Sequence, residues 1–150
     1  MANSLFYILA IAAGAAMSFQ VVVNANLRSH LGEPMQASLV SFGVGTAAAL
    51  LYCLFAGFAW PSYQQLRETP WWAWIGGLLG LFFIWCSIVV SPRIGVALML
   101  GLVVAGQVAT STLIDHFGLL GAVVRPATFG RIAGVILVVV GVGLVAAYRE

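Results

Sequence analysis

Five long apolar runs, at residues 5–27, 36–59, 72–90, 96–114 and 129–147, occupy most of the 150-residue chain. Each is long enough, as a helix, to cross a hydrocarbon core that takes about 20 residues. In that medium, unpaired backbone groups cost several kcal/mol each, so the chain closes its hydrogen bonds within each run as helix. The expectation is an all-α integral membrane protein with a single five-helix transmembrane domain over 1–150. Composition agrees: 63% of residues are hydrophobic and only 7% charged, far outside soluble-domain averages. The first run does not resemble a cleavable signal peptide, because no Lys or Arg precedes it and its apolar span exceeds a normal h-region.

Polar residues inside such runs carry the functional information, because they must face protein or water. In the fourth run Gln107, Ser111 and Asp115 recur every four residues and make one polar line about 12 Å long, flanked by Thr110. In the first, Met17, Gln20, Asn24 and Arg28 share a face. This face either lines a cavity or supplies hydrogen bonds between helices. In the second, Ser38, Ser41 or Phe42, Gly45 and Ala49 form a strip of mostly small residues that favours close packing of another helix and is also able to wall a cavity. Trp85, deep in the third run, lines a cavity or packs in the core. Asp115 stands at a helix C-terminus, where the helix dipole disfavours a negative charge. Its compensating partner is expected among His116, Arg125, Arg131 and nearby backbone N–H groups, as a structural tie for the loop or as a coupling site.

The remaining features read as architecture. Trp60, Trp71, Trp72 and Trp74 flank one loop and form an aromatic belt. Cys53 and Cys86 are packing residues, and His30 is a solvated loop residue with no ligand partner nearby. Pro92 breaks the chain between the third and fourth runs. Gly76 and Gly80 allow close helix crossing, and Gly130, Gly134 and Gly141 on the last run mark a dimer interface. Six arginines and no lysine give a net charge of +2, too sparse for nucleic acid. No nucleophile–base pair, metal-ligand cluster or phosphate loop appears, so neither an enzyme nor a metal or other cofactor is expected.

Five spans put the termini on opposite sides of the membrane. Arg67, Arg125 and Arg131 fall on the side of the N-terminus, and Arg28, Arg93 and Arg149 on the other. Positive charge normally sets orientation, and three against three sets none. Either something else fixes the topology or the chain inserts both ways and pairs with an inverted copy.

Four stretches together resemble a known family. They are Ser41-Phe42-Gly43-Val44-Gly45-Thr46; Pro70-Trp71-Trp72 with Gly76-Gly77; Gly106-Gln107 through Ile114-Asp115-His116-Phe117-Gly118-Leu119-Leu120-Gly121; and Arg131-Ile132-Ala133-Gly134. Over nearly its whole length the chain resembles the YdcZ family of small bacterial five-span proteins in the drug/metabolite transporter superfamily. The resemblance implies the bacterial cytoplasmic (inner) membrane. It also implies a ten-helix unit, made by a fused tandem or by an antiparallel pair with a second copy or an inverted paralogue, enclosing a central substrate cavity. Small multidrug exporters of the same superfamily carry a glutamate in the first helix, whereas this chain has Gln20 and Asn24 there and no acid. A neutral or zwitterionic solute therefore fits better than an organic cation. The expected function is secondary-type transport of a small polar solute by alternating access in an antiparallel homodimer within the lipid bilayer. Gln20, Asn24, Trp85, Gln107, Thr110 and Ser111 are the cavity-lining candidates. A dual-topology channel using the same polar line and a non-transporting membrane scaffold are the alternatives.

Overall fold

A computed structural model describes residues 2–148; Arg149, one of the six arginines counted above, lies outside the described residues. The described residues contain six α-helices and no strand. These are α1 (Ala2–Leu31), α2 (Pro34–Phe55), α3 (Tyr63–Glu68), α4 (Gly76–Ile94), α5 (Val96–Phe117) and α6 (Phe129–Ala147). Five stretches are long and apolar enough to span a membrane, one of them formed by α4 together with the 3-10 turn Trp71–Ile75 that precedes it. The chain forms two compact units, Met1–Arg93 and Ile94–Glu150.

In the first unit, α1 is 30 residues long, about 45 Å at 1.5 Å per residue, so it outruns the hydrocarbon core. It carries through Arg28 and His30, which stand in its last turn where positive charge suits the dipole. His30 is thus an exposed helical residue rather than a loop residue. The helix stops at Gly32, whose N–H donates to the Arg28 carbonyl at 2.8 Å and whose φ of +92° turns the chain out of the helix. Pro34 then opens α2, where its missing N–H is no loss. The segment expected as plain loop between the second and third spans contains α3, because Ser62 and Gln65 build a capping box: Gln65 N–H donates to Ser62 Oγ and Ser62 N–H to Gln65 Oε1. Trp60, Trp71 and Trp74 are exposed beside it, as belt residues should be. The core of this unit gathers Ala37, Ile84 and Ile88 with Leu27, Phe42 and Phe83. Gly80 matters here, since a Cβ on it would lie 3.1 Å from Phe42 Cζ. Its partners in the small-residue pattern, Gly76 and Gly77, have nothing within 4 Å of that position.

Pro92 does not end its helix. Helix α4 runs through it to Ile94, and the interruption falls at Gly95, whose φ of +80° only glycine adopts cheaply. In the second unit α5 and α6 pack directly, Gly101 admitting Val142, which would be 3.1 Å from an added Cβ. Helix α5 ends at Gly118, in the left-handed conformation (φ +62°, ψ +32°) with its N–H on the Ile114 carbonyl. Helix α6 starts at Thr128, whose hydroxyl accepts from Arg131 N–H.

Gly118 is the position least tolerant of change: besides its positive φ, an added Cβ would fall 2.7 Å from Val124 Cγ2. Gly118→Ala is expected to destabilise the protein by about 1–2 kcal/mol. Denaturant titration in detergent, with Gly121→Ala as a control that has positive φ but open space, separates the packing cost from the backbone cost.

Candidate functional site

The first unit holds an open groove of about 360 Å³ lined by Gln20 of α1, Ser41, Phe42, Gly45, Thr46 and Ala49 of α2, and Ile84 of α4. Ser41, Gly45 and Ala49 are successive members of the small-residue strip of α2, so their lack of bulk is what leaves the space open. Phe42 is the one aromatic lining residue, and no lining residue is charged.

Several hydroxyls of this protein are satisfied within their own helices. Ser18, Ser38, Ser87, Ser111 and Thr112 each donate back to a carbonyl three or four residues earlier, at 2.7–3.2 Å. That satisfies them within their own helix. Ser41 and Thr46, in the groove, have no hydrogen-bond partner among the described residues, and neither has Gln20. The groove thus offers two hydroxyls and an amide whose bonding capacity is unused, together with one aromatic ring in the lining.

One turn beyond Gln20, Asn24 is 3% exposed and its Nδ2 has no partner among the described residues. Asn24 does not line the groove. Nor does Trp85, which is half-exposed although its neighbour Ile84 is a lining residue. Gln107, Thr110 and Ser111 are exposed on α5 in the second unit. Of the six residues expected to line a cavity, Gln20 alone stands at the groove.

Asp115 takes one partner from the four candidates. Arg131 Nη2 donates to its Oδ2 at 2.6 Å, while Arg131 Nη1 donates to the Arg125 carbonyl at 2.8 Å. Arg125 contributes through its backbone, its N–H donating to the Asp115 carbonyl at 2.8 Å. His116 holds the loop by accepting the Ala127 N–H at Nδ1, 3.1 Å away, which requires that nitrogen to be unprotonated. These bonds clasp the end of α5 to the loop and to Arg131 in the first turn of α6. The pair is about one-third exposed on each side, so it is a tethered ion pair rather than a buried charge.

A family described as "Putative inner membrane exporter, YdcZ" matches residues 5–144. The chain belongs to this family. Inner membrane protein YdcZ of Escherichia coli strain K12 is 33% identical, over 97% of this chain and 97% of that one. No solved structure matches the chain. Membership in the YdcZ family, with five helices able to span, places the protein in the inner membrane.

In this YdcZ-family chain Thr46 stands out as a groove residue only once the fold is known. Its signal was available, since it follows Phe42, weighed with Ser41 for the small-residue strip, by one helical turn. What spacing alone does not give is which helix the strip faces. Ser87 and Ser91, both buried in α4, carried no such signal, the first standing alone in its apolar run and the second just past the run's end.

The clasp is expected to behave as a coupled unit. Asp115→Asn and Arg131→Gln should each lower unfolding stability in detergent, and the double variant should lose less than the sum of the two, with a coupling of about 1 kcal/mol. A double-mutant cycle by chemical denaturation measures it.

Proposed function

We propose that this protein is a secondary-type exporter of a small polar solute, neutral or zwitterionic, and that the groove on α1, α2 and α4 is part of its substrate path. The observation that carries the reading is the set of unused hydrogen-bonding groups of Gln20, Ser41 and Thr46 beside Phe42, with no charged residue among the lining. Ser18, Ser38, Ser87, Ser111 and Thr112, outside the groove, spend their hydroxyls on their own helices. A lining of this kind rewards a solute that brings donors and acceptors of its own, and offers no counter-charge to an organic cation. The family description as an exporter supplies the direction.

The working unit in this proposal is an antiparallel homodimer of drug/metabolite-transporter type, ten helices in all, operating by alternating access. Three features support it: the arginines balance three against three, no more than 17% of the best apolar window of any span is buried within the chain, and Gly130, Gly134 and Gly141 have no neighbour within 4 Å of a would-be Cβ. In this scheme Gln107, Thr110 and Ser111 remain a separate candidate lining on α5, Asn24 stands one turn from Gln20 on α1, and Asp115 is a structural tie.

Two measurements test these statements. In proteoliposomes screened with polyols, neutral amino acids and tetraphenylphosphonium, the protein should pass one of the first two classes in preference to the cation, and Gln20→Ala should cut that flux about tenfold with the helical circular dichroism unchanged. Preferred passage of the cation, or full flux in Gln20→Ala, counts against the site. Separately, single cysteines at Glu33 and Arg67, in a background with Cys53 and Cys86 as serine, should each label from both sides of native membranes. One-sided labelling of each position overturns the homodimer.

A further inference from the structure

The second unit carries another groove, about 300 Å³, lined by Ala109, Thr112 and Leu113 of α5, Ala127 of the loop, and Ile132, Val135 and Ile136 of α6. It lacks the unspent side-chain groups of the first. Thr112 is the one lining residue with a polar side chain, and its hydroxyl is spent on the Val108 carbonyl at 2.7 Å. Nothing in the lining is left to bond a solute.

We propose that this groove is a binding site for an anionic phospholipid, with one acyl chain along the groove and the phosphate at Arg125. Depth supports the assignment. Helix α6 begins at Phe129, and Ile132 to Ile136 lie roughly 5–10 Å further along at 1.5 Å per residue, where the first carbons of an acyl chain sit below the headgroups. Arg125 is at the headgroup end, two residues before the lining residue Ala127. Charge also supports it. Asp115 and Arg131 neutralise each other at 2.6 Å. Arg125 is exposed and has no side-chain partner among the described residues, so this end of the hairpin keeps one uncompensated positive charge. A single phosphate matches it.

Helical phase separates this groove from the glycine strip. At roughly 100° per residue, Ile132 and Ile136 lie on one flank of α6 and Gly130, Gly134 and Gly141 nearly opposite, with the α5-facing Val142 in between. A second copy seated on the glycines leaves the groove open to lipid. The site does not depend on what the protein transports.

The test uses the full-length protein in detergent, with Cys53 and Cys86 as serine, and native mass spectrometry to count retained lipid. Phosphatidylglycerol should be retained about fivefold more than phosphatidylcholine, the margin for one arginine at an anionic headgroup. Arg125→Gln should erase that preference while keeping a bound chain. Ala109→Phe should fill the groove and lower retention of both lipids; Ile136→Trp serves the same purpose from α6 if the first variant fails to fold. Glycerol 3-phosphate, which has the charge without a chain, should displace neither lipid. Equal retention of the two lipids, an intact preference in Arg125→Gln, undiminished retention in the filled variant, or displacement by glycerol 3-phosphate each overturns the site. So does disulfide capture of a second copy by a cysteine at Ile136 in native membranes, since it puts protein where the proposal puts lipid.

Discussion

The cost of an unpaired polar group in hydrocarbon governs this structure. It forces the backbone into helices, and it sorts the side chains by reach. A serine or threonine hydroxyl on a helix can turn back to the carbonyl of the preceding turn, and Ser18, Ser38, Ser87, Ser111 and Thr112 do so. Arg131, long and forked, bonds a carboxylate and a carbonyl together. Asn24, buried with its Nδ2 unpaired, is the residue this rule leaves unsettled.

The same rule separates the two grooves by chemistry. The groove on α1, α2 and α4 keeps Gln20, Ser41 and Thr46 unspent, and the groove on α5 and α6 has spent its one hydroxyl. A polar solute gains hydrogen bonds in the first and loses its hydration for nothing in the second. An acyl chain fits the second without penalty. One chain thus presents two largely apolar clefts, distinguished by the unspent side-chain groups of Gln20, Ser41 and Thr46 in the first.

The clasp at the end of α5 shows how a charge is tolerated near a membrane boundary. Asp115 stands against the helix dipole, and the structure offsets it with Arg131 from the next helix rather than with the neighbouring His116. Sequence distance is no guide to that choice: the partner sixteen residues away wins because Gly118 turns the chain in the left-handed region and Arg125 and Ala127 pin the loop back, bringing the start of α6 alongside.

Periodicity and composition by themselves determined the membrane class, the five spanning helices and the absence of an acid from the first span, because each follows from local residue type and run length, while the family was legible in specific sequence stretches. They also marked Gln20 and the strip of Ser41, Gly45 and Ala49, since a helical face is a local property. Tertiary structure decided that Gln20 meets that strip, that Phe42 approaches Gly80, that Arg131 and not His116 pairs with Asp115, and that Pro92 lies inside a helix ended by Gly95. These depend on which faces oppose one another and on φ at a single residue. Apolar runs so alike in composition specify that they are helices, while the few small, polar and glycine positions specify how those helices meet.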